Sequence, residues 1–198
     1  KLGANSEGII TAAKLYLAYQ AGSFPGSPVG AGVQNGLASY NIENIEIDGY
    51  DVVTNTQKMQ SYRAPGQPPA TFAVEGVIDE LASELGIDPL DFRLKNAVRE
   101  GDRMPNGVQY PTIACVELEE AMRDHPHYNA PLDGPNQGRG ISIAARAIGG
   151  EATTPHVANI SVNSNGTITL LTGSNDLSGT RTTVAMHAAE ILGIDVDD

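Results

Sequence analysis

Val74, Val77, Ile78, Leu81 and Leu85 recur at i, i+3, i+4, i+7 and i+11, a spacing that only an α-helix gathers into one apolar stripe. Glu75, Asp79, Glu80 and Glu84 fall off that stripe, so the pattern predicts an amphipathic helix on a core with its acidic residues in solvent. Gly86 supplies a C-terminal stop. Asp88 then suits the N-cap of a second helix with Pro89 in its first position, and Leu90 and Leu94 face inward one turn apart. The rest of the chain has to arrange itself around this helix pair. Leu81 marks the centre of the stripe, where truncation to alanine typically costs about 2–5 kcal/mol.

Residues 9–19 are rich in β-branched and aromatic side chains and follow the turn signal Asn5-Ser6-Glu7-Gly8, which predicts a strand entered from a hairpin. Ala158, Ile160 and Val162 alternate on one face of a strand over 156–162. Asn165-Gly166 then offers the positive φ angles of a tight two-residue turn, and Ile168 and Leu170 resume the alternation. The wording N-S-x-G-x-I-T occurs at 5–11 and again at 163–169, which turn chemistry alone can select. Further helices are expected over 114–123 and over 183–192, the latter bearing Met186, Ala189 and Leu192. The stretch HPHYNAPLDGPNQG, 125–138, has the composition of a linker. The expected fold class is α+β, with mixed β-sheets and hairpins packed with helices in two subdomains, 1–124 and 139–198.

Composition excludes several function classes. A formal charge of −12 opposes nucleic acid, which requires a basic footprint. The single cysteine, Cys115, excludes an internal disulfide, and no apolar run is long enough to span a bilayer, so the cytoplasm is the default location. The chain opens at Lys1 inside what reads as a strand, which suggests an internal piece of a longer protein. GAGVQNG, 30–36, is not a dinucleotide fingerprint, because Asn35 takes the third glycine position and no strand precedes it; it reads as a glycine-rich loop. Cys115, His125 and His127 match no common zinc spacing.

Two stretches remain as candidate sites. In SYRAPGQPP, 61–69, Pro65, Pro68 and Pro69 fix φ and remove donors, so Arg63 projects from a preorganised loop that runs into a helix. Its guanidinium suits a phosphate, carboxylate or oxo group, and the amides of the helix start would add to the attraction. In TGSNDLSGTRTT, 172–183, hydroxyl residues, two glycines and an arginine lie between a strand and a helix, as in an anion cradle. An arginine paired with a neighbouring carboxylate and an ordinary capped loop would produce the same wording. On these residues alone, a non-catalytic module that binds an anionic ligand or a partner subunit is as good a reading as an enzyme.

YRAPGQPPATFAVEGVIDELASELGIDPLDFRLKN, 62–96, resembles the molybdenum-binding large subunit of the xanthine dehydrogenase and aldehyde oxidase family, and so do YNIENIEIDGYDVVTN, 40–55, and NGTITLLTGSNDLSG, 165–179. The resemblance implies a molybdenum hydroxylase that oxidises an aldehyde, an N-heterocycle or a similar small molecule with water as the oxygen source. Its cofactor would be molybdenum-molybdopterin, with a cytosine dinucleotide as one admissible form, and its electrons would leave through iron-sulfur and FAD-binding partner domains or subunits. By resemblance, Arg63 and Ala64 lie beside the cofactor, as do Ser178, Gly179 and Thr180. Pro65 stands where purine oxidisers carry a stacking aromatic, Ala31 where they carry a substrate-orienting arginine, and Ala144 where they carry a threonine, so a purine is disfavoured. Gly179 stands where many members have a glutamine on the pterin. The family's glycine-rich cofactor motif would precede Lys1 and its catalytic glutamate would follow Asp198, so this chain alone is expected to be inactive and to hold no catalytic residue.

Overall fold

A computed structural model describes residues 1–59, 62–145 and 157–197. The chain forms two compact units, 1–149 and 150–198. In the first unit, β1 (Leu2–Ala4) pairs antiparallel with β2 (Ile10–Gly22). The chain then crosses through α1 (Val29–Asn35) to β3 (Asn44–Val53), which lies parallel to β2. The sheet order is β1-β2-β3. A parallel pair requires a crossover, and residues 30–36, read from sequence as a loop, supply it as a helix. Its glycines serve close packing: a Cβ on Gly36 would lie 2.9 Å from Leu15 Cδ2.

The helix pair forms as its caps dictate. α2 spans Gln67–Leu85 and ends on Gly86 at φ 66°, while Asp88 accepts the amides of Leu90 and Asp91 to start α3 (Pro89–Asn96). Ala70, Val74, Ile78 and Ala82 are the buried face of α2, packed with Leu15 and Leu17 of β2 and with Leu37, Tyr40 and Phe92. The stripe is thus rotated from the sequence reading. Leu81 is only half-buried, whereas Ile78 is fully enclosed, because two alanines let the helix approach the sheet along its i, i+4 row.

Rotation of the stripe carries Glu75 inside, contrary to the expectation that it faces solvent. It is 5% exposed beside Arg93, which is 0% exposed. Arg93 Nε and Nη2 donate to Glu75 Oε2 at 2.9 and 2.8 Å, Nη2 also reaches Asp79 at 2.8 Å, and Nη1 reaches Pro89 O at 2.9 Å. Tyr40 Oη donates to the other Glu75 oxygen, and burial together with that carboxylate pushes the Tyr40 phenol far above its ordinary value. Three residues on, Asn96 accepts the amide of Ile10 at 2.8 Å and donates to Gly8 O and Phe92 O at the same distance, so α3 also fixes the entry into β2.

α4 (Cys115–Arg123) closes a second apolar cluster of Ala97, Val98, Met104, Tyr110 and Cys115. The stretch 125–138 includes the short helix α5 (Pro126–Asn129), and Tyr128 Oη donates to Asp88 at 2.8 Å. Glu119 of α4 is buried, with Cys115 Sγ at 3.8 Å from one oxygen and no partner for the other among the described residues. Burial pushes its carboxyl up to about 7.

In the second unit, β4 (Ala158–Val162) and β5 (Ile168–Thr172) form a hairpin, followed by α6 (Thr180–Leu192). His156 lies outside the described residues. Gly166 has φ 87° but Asn165 does not join it at positive φ. The turn is therefore four residues long, closed by Gly166 N to Asn163 O at 3.0 Å and Asn163 N to Thr167 O at 2.8 Å. The turn at 5–8 has the same two bonds, Gly8 N to Asn5 O and Asn5 N to Ile9 O, which accounts for the shared wording. Ile168 and Leu170 are half-buried, but Val162 is 76% exposed and of α6 only Ala189 is buried. A hairpin and one helix enclose too little area for a core of their own.

Two stability measurements follow. Ile78→Ala should cost about 2–5 kcal/mol in chemical denaturation and Leu81→Ala clearly less, the reverse of the ranking by sequence. For Glu119, the folded carboxyl holds its proton to about pH 7 against an ordinary value of 4.5, so the folded state binds more protons between them. Stability from this group is full below about pH 4.5 and falls as pH rises through about 7, by about 3 kcal/mol in all. Denaturation midpoints of Glu119→Gln should lack that fall and exceed wild type at about pH 8.

Candidate functional site

The loop before α2 owes its shape to two residues in the left-handed region, Ala64 at φ 57° and Gly66 at φ 78°, on either side of Pro65. Gln67 N donates to Ala64 O at 3.3 Å and closes the turn. Gly66 permits this because a Cβ there would lie 2.0 Å from Pro28 O and 3.2 Å from Gly32 N. Tyr19 Oη from β2 donates to Gly66 O at 2.6 Å. Strand, crossover helix and loop therefore meet at one residue. Ala64 is not a glycine, and such a residue held at positive φ stores on the order of 1–2 kcal/mol, the kind of local strain that accumulates at functional sites.

Arg63 is exposed, and Ala64 and Pro65 are half-buried. The amides expected to assist Arg63 are largely missing: Gln67 N is engaged by Ala64 O, and Pro68 and Pro69 have none. Attraction for an anion at this loop rests on the guanidinium. Beside it opens a groove of about 560 Å³, walled by Ala64, Pro68, Thr71 and Phe72 on one side and by Ile141 and Ala144 on the other. The 141–145 segment is held along α2 by Ile143 N to Glu75 Oε2 at 3.0 Å and by Gln67 Nε2 to Ala145 O at 3.1 Å. Ala64 and Ala144, 80 positions apart in the sequence, thus line one groove. Ala31 does not line it; it sits on α1 beside Gly32, with its carbonyl accepting Asn35 Nδ2 at 2.7 Å.

Ser178, Gly179 and Thr180 lie in the second unit, at the start of α6. Ser178 at φ 56° and Gly179 at φ 79° repeat the left-handed entry into a helix seen at Ala64 and Gly66. Thr180 Oγ1 donates to Leu177 O at 2.7 Å and Thr183 Oγ1 to Gly179 O at 3.1 Å, so both hydroxyls brace the loop. Asp176 accepts Arg181 N at 3.3 Å and gives the cradle an anion of its own. Among the described residues, no group of three His, Cys, Asp or Glu side chains is placed so that it could hold a metal ion.

Each unit thus carries one helix entry in the left-handed region, at 64–66 in the first and at 178–179 in the second. Two family models, each described as a molybdopterin cofactor-binding domain, match residues 1–97 and 116–198. The chain belongs to the family of molybdenum-hydroxylase large subunits that includes aldehyde oxidoreductase and xanthine dehydrogenase. It is 35% identical over 147 residues to the aldehyde oxidoreductase of Megalodesulfovibrio gigas, covering 70% of this chain and 16% of that protein. It is 28% identical over 218 residues to the nicotine 6-hydroxylase large subunit of Paenarthrobacter nicotinovorans, covering 96% of this chain and 27% of that one. The solved aldehyde oxidoreductase of Desulfovibrio gigas superposes with a TM-score of 0.72 at 27% identity, covering 96% of this chain and 22% of its own. The chain spans less than a third of the length of these relatives.

Sequence reasoning missed Glu75, Arg93 and Tyr19. The signal for Glu75 was present in the row Ala70, Val74, Ile78, Ala82, which places Glu75 beside the buried face; the other two have partners only in space. Gly66→Ala should destabilise by about 1–3 kcal/mol through its positive φ alone, with further loss as Pro28 is displaced. A denaturation midpoint equal to wild type would show that the loop does not depend on this contact.

Proposed function

We propose that the protein acts within the large subunit of a molybdenum hydroxylase that oxidises an aldehyde, an N-heterocycle or a similar small molecule. The observation that carries this reading is the strained Ala64 loop, with Arg63 exposed on it and an apolar groove beside it. In the first unit Arg63 and Ala64, and in the second unit Ser178, Gly179 and Thr180, are the residues we assign to molybdopterin binding. When bound, the cofactor supplies the redox centre that takes two electrons from the substrate. In aldehyde oxidation the substrate gains one oxygen from water and releases two protons with those electrons. Iron-sulfur and FAD-binding partners are the acceptors we infer. Nicotine 6-hydroxylase among the relatives supports an N-heterocycle as one substrate class.

This chain's own part is to bind, orient and exclude water. The Arg63 guanidinium can donate two parallel hydrogen bonds to a phosphate or carbonyl edge, and its fixed fork orients what it holds. The short side chain of Ala64 leaves the backbone approachable. Pro65, Ala31 and Ala144 stand, by resemblance, where purine oxidisers carry a stacking aromatic, an arginine and a threonine, which disfavours a purine; of the three, Ala144 lines the groove. The groove walls are largely apolar and offer water few partners. Among the described residues no helix is long and apolar enough to cross a membrane, which is compatible with a cytoplasmic enzyme. A non-catalytic anion-binding module is the weaker reading, because the α2 amides it would use are engaged or absent.

Arg63→Ala in the full-length protein tests the proposal. Losing charge-assisted hydrogen bonds worth about 1.5–3 kcal/mol should lower cofactor retention or turnover about tenfold or more. Metal analysis gives molybdenum per polypeptide, and the thermal midpoint measured alongside separates a loss of cofactor from a loss of fold. Unchanged molybdenum content and rate would overturn the assignment.

A further inference from the structure

Lys58 ends in a ring of four main-chain carbonyls drawn from a single turn. Its Nζ lies 3.0 Å from Pro25 O and Gly26 O, 3.1 Å from Phe24 O and 3.4 Å from Ala21 O. An ammonium has three donors, so the three shorter contacts complete its hydrogen bonding and the fourth carbonyl adds its dipole. Among the described residues no carboxylate forms an ion pair with Lys58, and its charge is met by carbonyl oxygens. Carbonyls converging in this way are how a protein holds a small monovalent cation. The same turn directs its amides to an anion: Gly26 N and Ser27 N donate to the Asp51 carboxylate at 2.7 and 2.8 Å. A turn of prolines and glycines, with no secondary-structure bonds to define it, is therefore shaped by one charge of each sign.

The turn is coupled to the candidate site on both sides. The 54–59 segment that carries Lys58 lies hard against it, with Thr54 N on Gly22 O at 2.9 Å and Met59 N on Ala21 O at 3.0 Å. At Gly22 a Cβ would stand 2.1 Å from Gln57 O. The turn then leads into Pro28, whose carbonyl would meet a Cβ on Gly66 at 2.0 Å. Contact therefore runs without a break from the Lys58 ammonium through the turn to the loop that presents Arg63 and Ala64.

We propose that Lys58 is a built-in cation that assembles the 21–26 turn and, through Pro28, positions the 64–66 loop. It is a positioning residue, and its consequence for the cofactor rests on the assignment of that loop made above. A neutral side chain one atom shorter, as methionine is, leaves the carbonyls facing one another around an empty position. An ammonium or potassium ion, small enough for the ring, can then take the vacated place, whereas tetramethylammonium cannot.

Lys58→Met in the full-length protein, followed by hydrogen exchange and metal analysis, tests this. Exchange at 21–28 and at 62–67 should quicken by about tenfold while α4 is unchanged, as expected for a local opening. Ammonium or potassium should restore protection and tetramethylammonium should not, at matched ionic strength. Faster exchange confined to 21–28, or equal restoration by all three salts, would overturn the proposal. Loosening of both segments with molybdenum content unaltered would instead leave Lys58 as stated and sink the cofactor assignment of the loop. Should the variant fail to fold, acylation of the wild-type protein decides: caged Lys58 should react about tenfold more slowly than half-exposed Lys14, and equal rates would overturn the proposal.

Discussion

The buried pair of Glu75 and Arg93 is the constraint on which the first unit depends. Two charges out of water are costly, and the pair is tolerable only because every guanidinium nitrogen and both carboxylate oxygens find partners. Those partners come from four places: Asp79 on α2, the start of α3, Tyr40 after the crossover, and the amide of Ile143. Removal of either member leaves a buried charge uncompensated, a loss of about 3–5 kcal/mol. The phrase GIDPLDFRLKN, 86–96, is thus a device for docking a helix: Asp88 caps it, Leu90 and Phe92 seat it, Arg93 locks it to α2 and Asn96 locks it to β2.

The groove owes its existence to the same lock. Ile143 is held by Glu75, and that bond lays residues 141–145 along the outer side of α2, opposite Ala64. A residue whose charge is needed for packing therefore also sets the width of the candidate site. At the other end, the Ala64 loop is defined by backbone approach at Gly66 and by a hydroxyl from β2. Stability and site geometry here draw on shared residues, so substitutions deep in the core are expected to reach the site.

Much of this was legible before any coordinates. The caps at Asp88, Pro89 and Gly86 act within a few residues and were correctly placed, and so were the strands on either side of the turns at 5–8 and 163–166. The rotation of the α2 face was not legible, because leucines at 81 and 85 outweigh alanines at 70 and 82 on any hydrophobicity count, although alanines are what let a helix approach a sheet. Nor could the crossover helix be read from GAGVQNG, where glycine content argues against a helix and only the need to join parallel strands argues for one. At the candidate site, the position of Arg63 on a rigid loop was readable from its prolines. The engagement of the amides beside it was not.

The sequence by itself determined the local rules: where helices start and stop, which turns close, which loop is rigid, and to which family the wording belongs. These follow from interactions among residues a few positions apart, which any fold must respect. Only the tertiary structure decided that Glu75 is buried, that Ala64 and Ala144 share a groove, and that Lys58 closes a ring of carbonyls. Each of these joins groups whose separation along the chain carries no signal, and each is fixed by the requirement that a charge or a main-chain polar group removed from water find a partner.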